Sequence, residues 1–193
     1  MRQINRFILL LILPLGIGAG LYAQQVYTLQ SGTAKFNVIA PASELTASND
    51  SLIGSLNIGT GAISFKVFVA GFHFVTPYMP EMMNASASRR FQTYYFDSKT
   101  YPEATFQGYS EALKTVDLSQ NKQYVINSSG IMTMHGISKE ISVSGSIEVK
   151  GGKVYVHSEF NIDPRDYKVR IPESINRFYM KEVKITIDAQ MKK

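Results

Sequence analysis

From Gln25 onward the apolar positions of the chain recur mostly at every second residue, the spacing that sets successive side chains on opposite faces of a β-strand. Ile63, Phe65, Val67 and Val69 alternate with Ser64, Lys66 and Phe68, and Ile141, Val143, Gly145, Ile147 and Val149 alternate with Ser142, Ser144, Ser146 and Glu148. Val154, Val156, Ser158, Phe160 and Ile162 alternate with Tyr155, His157, Glu159 and Asn161, and Val183, Ile185, Ile187 and Ala189 with Lys184, Thr186 and Asp188. Each run predicts a strand with one apolar and one solvated face. Between two of them, Lys150-Gly151-Gly152-Lys153 predicts a tight hairpin, because glycine tolerates the positive φ such turns require. Further breaks are expected at residues 48–51, 59–61 and 127–130 and at Asp163-Pro164. Residues 78–95 break the pattern: Met79, Met82, Met83, Ala85, Ala87 and the Arg89-Arg90 pair lack period two, which predicts a short helix acting as a crossover or lid.

Strands with one apolar face must hide it against a second sheet or by curling into a barrel, which also removes exposed edges. With one short helix available to cover a sheet, the expected fold is all-β, an extended antiparallel barrel of about eight strands. A barrel of that size can hold one small ligand or be filled by its own side chains.

The first 23 residues stand apart. Arg2 and Arg6 precede an apolar run over residues 7–15, and a small-residue stretch ends in Leu21-Tyr22-Ala23, the three parts of a secretory signal with cleavage expected after Ala23. The apolar segment as a whole, residues 7–21, is shorter than the ~20 residues that span a bilayer comfortably. The expected organisation is a signal peptide over residues 1–23, a single barrel domain over residues 24–193, and a periplasmic location. Loss of Arg2 and Arg6 reduces the formal charge from +5 to +3, since no acidic residue precedes Gln24. The remaining Lys and Arg are scattered, so the basic balance describes a solvated surface rather than a nucleic-acid footprint.

Catalytic chemistry is sparse. The chain has no cysteine, hence no disulfide framework, lipid-attachment thiol or thiolate metal site. The three histidines, His73, His135 and His157, are not at the spacing of a helical metal site. His157 falls on the polar face of its strand and His135 precedes a glycine in a turn, whereas His73 is ambiguous. There is no Gly-x-Ser-x-Gly elbow and no phosphate-binding glycine loop. Glu81, Asp97 and Glu103 could pair as acid and base only if the fold brought them together. A non-enzymatic protein is expected, with no metal.

Two blocks are more specific. Residues 96–108, Phe-Asp-Ser-Lys-Thr-Tyr-Pro-Glu-Ala-Thr-Phe-Gln-Gly, contain a loop ending in Tyr101-Pro102 that hands over to a strand. Residues 130–141, Gly-Ile-Met-Thr-Met-His-Gly-Ile-Ser-Lys-Glu-Ile, contain two strands joined around His135-Gly136. Both resemble the YceI-like family of exported lipid-binding proteins. Further similarity lies in residues 27–40, in Ser64-Phe65-Lys66-Val67, in Phe160-Asn161-Ile162 and in residues 166–172. The chain departs from the family pattern at Arg89-Arg90, where relatives of this subtype tend to have a Glu-His pair.

The resemblance implies a lipocalin-like barrel with a long hydrophobic tunnel that holds polyisoprenoid chains such as those of quinones, acting as carrier or sequestering protein. No cofactor other than such an isoprenoid or quinone-like lipid is expected, and no nucleic acid. Phe65, Val67, Phe106, Met132, Met134, Val143, Ile147, Val156, Phe160, Ile185 and Ile187 are the candidate tunnel lining. Alternation places them on the buried face and is equally compatible with a filled core. Asp166 and Tyr167 are candidates for meeting a ligand head group. The alternative is an interaction module, motivated by the Met-rich residues 78–83, that docks a membrane or redox partner and holds no ligand.

Overall fold

The alternating runs become strands that pair mostly in chain order. In the computed structural model, which describes residues 25–40, 43–171 and 182–193, the export segment and Pro172 lie outside the described residues. The strands are β1 (Val26–Ala40), β2 (Ser43–Asn49), β3 (Ile53–Asn57), β4 (Ala62–Phe68), β5 (His73–Phe74), β6 (Glu103–Tyr109), β7 (Gln123–Met134), β8 (Ile137–Lys150), β9 (Lys153–Ile162) and β10 (Val183–Lys192). Antiparallel pairing runs β1-β3-β4-β6-β7-β8-β9-β10 and returns to β1, whose residues 28–37 pair with residues 184–192. This is a closed eight-stranded antiparallel barrel with one helix, the class that the alternation predicts. Closure gives every ring strand two partners, which removes the free edges an open sheet would expose.

Ten strands make eight ring positions because β2 and β3 are halves of one strand and β5 lies outside the ring. Both pair with β1 in a single register, Ala34 opposite Asn49 and Thr28 opposite Ser55, with residues 50–52 between them. On its β10 side β1 has a bulge between Leu29 and Ser31. The extra residue flips the side-chain alternation, so Tyr27 and Leu29 share the interior with Ala34 and Phe36. The partner flips at its own break, from Ala47 and Asn49 to Leu56, all buried. β5 adds only two residues, paired to Ala47 and Ser48 of β2.

Two-residue turns with positive φ close the hairpins at Gly151-Gly152 (59° and 74°) and at His135-Gly136 (51° and 73°). The break expected at residues 127–130 does not occur, since β7 runs through it. The Asn-Ser-Ser-Gly composition serves close approach instead: a Cβ on Gly130 would strike the Gln107 carbonyl on β6, and Ser128 Oγ donates to the Val143 carbonyl at 3.2 Å. The expected helix forms as α1 (Glu81–Arg90) and continues as a π-helical turn, Phe91–Tyr95.

Antiparallel order sorts the connections to two ends. At one end the 3₁₀ turn Ala112–Thr115 inserts the fully buried Leu113, which packs with Ile58, Val116, Ile126 and Ile147. At the other, residues 69–102 fold α1 and its π turn against the barrel, and Phe91 and Phe96 join Phe36, Met132, Met134 and Ile162 in a second core cluster.

Candidate functional site

Between these two plugs the barrel is not filled. A cavity of about 280 Å³ is lined by residues from every strand. All eleven residues assigned to the inner face from alternation stand on its wall: Phe65, Val67, Phe106, Met132, Met134, Val143, Ile147, Val156, Phe160, Ile185 and Ile187.

The void has a local cause in residue size. On the β7–β8–β9 wall, Ser128 sits opposite Val143, and Gly145 sits between Ile126 and Ser158. These inward side chains are too short to reach across the barrel. On the adjoining β4–β6 wall Phe65 and Phe106 are cross-strand partners, and their rings lie over glycines. A Cβ at Gly54 would collide with the Phe65 ring, and one at Gly108 would come within 2.5 Å of the Phe106 ring.

The wall offers little polarity. Lys66 and His157 direct their polar ends to Glu103 at 3.0 Å and Asp188 at 2.7 Å. Ser158 Oγ donates to the Ser144 carbonyl at 2.8 Å, and Ser128 Oγ to that of Val143. With their hydroxyl protons donated to strand carbonyls, these serines leave a surface with small call for water.

Sequence reasoning missed the aromatic end of the cavity. Phe36, Phe72, Phe74, Phe91 and Phe96 line it and pack ring against ring. Phe91 is the hub, with centroids 5.0 Å from Phe36, 5.8 Å from Phe72, 6.0 Å from Phe74 and 4.8 Å from Phe96. Phe72 and Phe74 carried a period-two signal around His73. Phe91 and Phe96 carried none, because their five-residue spacing stacks only in a π turn, which the Phe96 N–H closes onto the Phe91 carbonyl at 3.0 Å.

Neither head-group candidate lines the cavity. The Asp166 carboxylate pairs with Lys139 at 2.9 Å near solvent. Tyr167 is 2% exposed and packs in the core cluster beside Val169. Its hydroxyl is buried without a hydrogen-bond partner among the described residues. Burial, helped by the Asp166 charge, pushes this phenol above the ordinary tyrosine range. At these positions neither group reaches the cavity.

The remaining polar candidates hold architecture. His135 Nδ1 lies 3.0 Å from the Tyr167 carbonyl, which requires a proton on that nitrogen, and its ring packs 4.3 Å from Tyr101. Tyr101 therefore seats over the His135-Gly136 turn, where a Cβ on Gly136 would approach its ring to 2.7 Å. His73 is exposed on β5. Glu103 is held by Lys66, Glu81 opens α1 and Asp97 lies in the loop after the π turn, so none of the three lines the cavity. Among the described residues no three His, Asp or Glu gather as a metal would need.

Solved structures share this architecture. A polyisoprenoid binding domain from Saccharophagus degradans is similar over 86% of this chain and 97% of its own, with 15% identity and a TM-score of 0.70. BcnA of Burkholderia cenocepacia is similar over 82% of this chain and 95% of its own, with 16% identity and a TM-score of 0.61. The YCEI protein of Campylobacter jejuni is similar over 76% of this chain and 84% of its own, with 17% identity and a TM-score of 0.55. No curated protein matches in sequence. At such identities the structural likeness speaks for the fold alone. The family profile described as YceI-like domain, however, matches residues 27–191, and with that span of the barrel covered, the chain belongs to the YceI-like family.

Proposed function

We propose that the protein is an exported, non-catalytic binding protein that holds a polyisoprenoid or similar amphiphilic lipid in the barrel, as carrier or sequestering agent in the periplasm. The observation that carries this reading is the cavity itself: about 280 Å³ of space inside a closed barrel, walled by aliphatic and phenylalanine side chains. An interior this apolar gains nothing from a charged or sugar-like molecule, which would leave its hydration behind. A hydrocarbon tail asks only for apolar area, at about 0.8 kcal/mol per buried methylene. Its volume is near the low end of ligand pockets, ~300–1,000 Å³, which suits a slender chain better than a fused ring system. The polyisoprenoid-binding description of the Saccharophagus structure supports the same ligand class.

The eleven lining residues, with Phe36, Phe91 and Phe96, are the proposed tail contacts. Export is supported by the signal-like residues 1–23. The test is extraction of the purified, exported protein with organic solvent and mass spectrometry of the extract. A carrier releases a stoichiometric lipid, and an extract free of lipid from protein that also fails to take up an added prenyl lipid would reject the proposal.

A further inference from the structure

The helix at the aromatic end of the barrel is inside out. Asn84, Ser88 and Gln92, spaced by four, make one stripe of α1 and its π turn, and this polar stripe faces inward onto backbone. Asn84 Oδ1 accepts from the Thr76 N–H at 3.2 Å, and Asn84 Nδ2 donates to the Thr76 carbonyl at 3.1 Å. Ser88 Oγ accepts from the Phe74 N–H at 2.9 Å, and Gln92 Nε2 donates to the carbonyls of Ala70 and Phe72 at 3.0 and 2.9 Å. The stripe thus satisfies the backbone along β5, the one short strand outside the ring, which would otherwise present unpaired groups.

The consequence lies on the opposite side. Met83, Arg90 and Tyr94 recur at helical spacing on one line, and Met82 and Arg89 on the adjoining one. Met82 is 78% exposed, Tyr94 73%, Tyr78 61% and Met83 51%. Tyr78 keeps its ring in solvent while its hydroxyl donates to the Glu44 carbonyl. Arg89 and Arg90 are exposed and enter no ion pair among the described residues. Glu81, at the helix start, is the one carboxylate on α1.

Clustered exposed apolar groups on a monomer mark an interaction site. Methionine and tyrosine beside unpaired arginines match an anionic lipid interface, where thioethers and rings enter the headgroup boundary and guanidinium groups meet phosphates. The reverse side of the same segment, through Phe91, Tyr95 and Phe96, is cavity wall. We infer that the outer face of α1 docks the protein on an anionic phospholipid bilayer, bringing the aromatic end of the cavity to the surface in which its ligand is dissolved. The inference rests on the lipid-binding reading for its purpose, and on the inverted helix for its surface.

The test uses the chain from Gln24 onward, which contains every strand of the barrel, in flotation with phosphatidylcholine vesicles and with vesicles that also contain phosphatidylglycerol. In parallel, cavity binding is followed with cis-parinaric acid, a fluorescent polyene fatty acid, without vesicles. The protein is expected to float with the anionic vesicles and to be released by salt. Arg89→Glu/Arg90→Glu and Met82→Asp/Met83→Asp should each lower partitioning about tenfold or more while leaving parinaric acid binding unchanged, since none of the four residues lines the cavity. Absence of flotation, or equal flotation of wild type and both variants, overturns docking even if parinaric acid binds, and absence of flotation would reassign the patch to a protein partner. Patch-dependent flotation without uptake of parinaric acid or an added prenyl lipid supports docking and rejects the cavity reading instead.

Discussion

Replacing Val143 with tryptophan separates a lipid-holding barrel from a solid one. Val143 faces the cavity from β8, with Ser128 opposite and Gly145 two residues along the same face, so an indole at this position has room to enter the void. It carries about seven more heavy atoms than the isopropyl group, enough to exclude roughly four methylenes of a tail from about 280 Å³ of space. At about 0.8 kcal/mol per methylene the loss is about 3 kcal/mol, roughly two hundredfold in dissociation constant. Because the added ring meets wall atoms that otherwise border empty space, the urea midpoint should hold or rise. The control is Ser142→Trp, one residue earlier and exposed, where the alternation of the strand puts the same indole outside the barrel. Titration with cis-parinaric acid reads affinity, and circular dichroism reads the fold. Native-like Val143→Trp protein that binds within about threefold of wild type would refute the reasoning, because the barrel centre would then not be where the tail resides.

Three further outcomes are expected. Phe91→Ala removes the hub of four ring contacts and should cost about 3–5 kcal/mol in urea unfolding; a loss below about 1 kcal/mol would mean that the aromatic cluster does not hold the lid segment. Tyr167→Phe removes a buried hydroxyl that has no partner among the described residues and should stabilise by about 1 kcal/mol or more at neutral pH. The raised Tyr167 pKa also means that the folded state keeps its proton after the unfolded chain has lost it, so wild-type stability falls as pH rises through about 10. The Phe variant should lose part of that alkaline decline, and identical pH profiles by urea melts would contradict the assignment. Saturating the protein with cis-parinaric acid to about a hundred times its dissociation constant should add about 2.7 kcal/mol of stability, and a melting temperature that does not move would argue against binding to the native barrel.

The class of the fold was legible in the chain because burial acts locally on a strand. Alternation of Val, Ile and Phe with Ser, Lys and Glu decides which face each strand hides, and Gly151-Gly152 decides where one hairpin turns. From this a barrel of about eight strands and eleven of the residues on the cavity wall could be named. The composition of residues 127–130 misled, since Ser and Gly chosen for close strand approach look the same as Ser and Gly chosen for a turn.

What only the tertiary structure decided is whether the hidden faces meet or leave room between them. That depends on how far side chains reach from opposite walls, on Phe65 and Phe106 lying over Gly54 and Gly108, and on which residues plug the ends. None of these has a period along the chain. The Phe91–Phe96 stack needs a π turn, and the inverted face of α1 needs the backbone of β5 as its partner. Sequence periodicity reports a residue's own exposure, whereas cavities and inverted helices arise from distances between segments far apart in the chain.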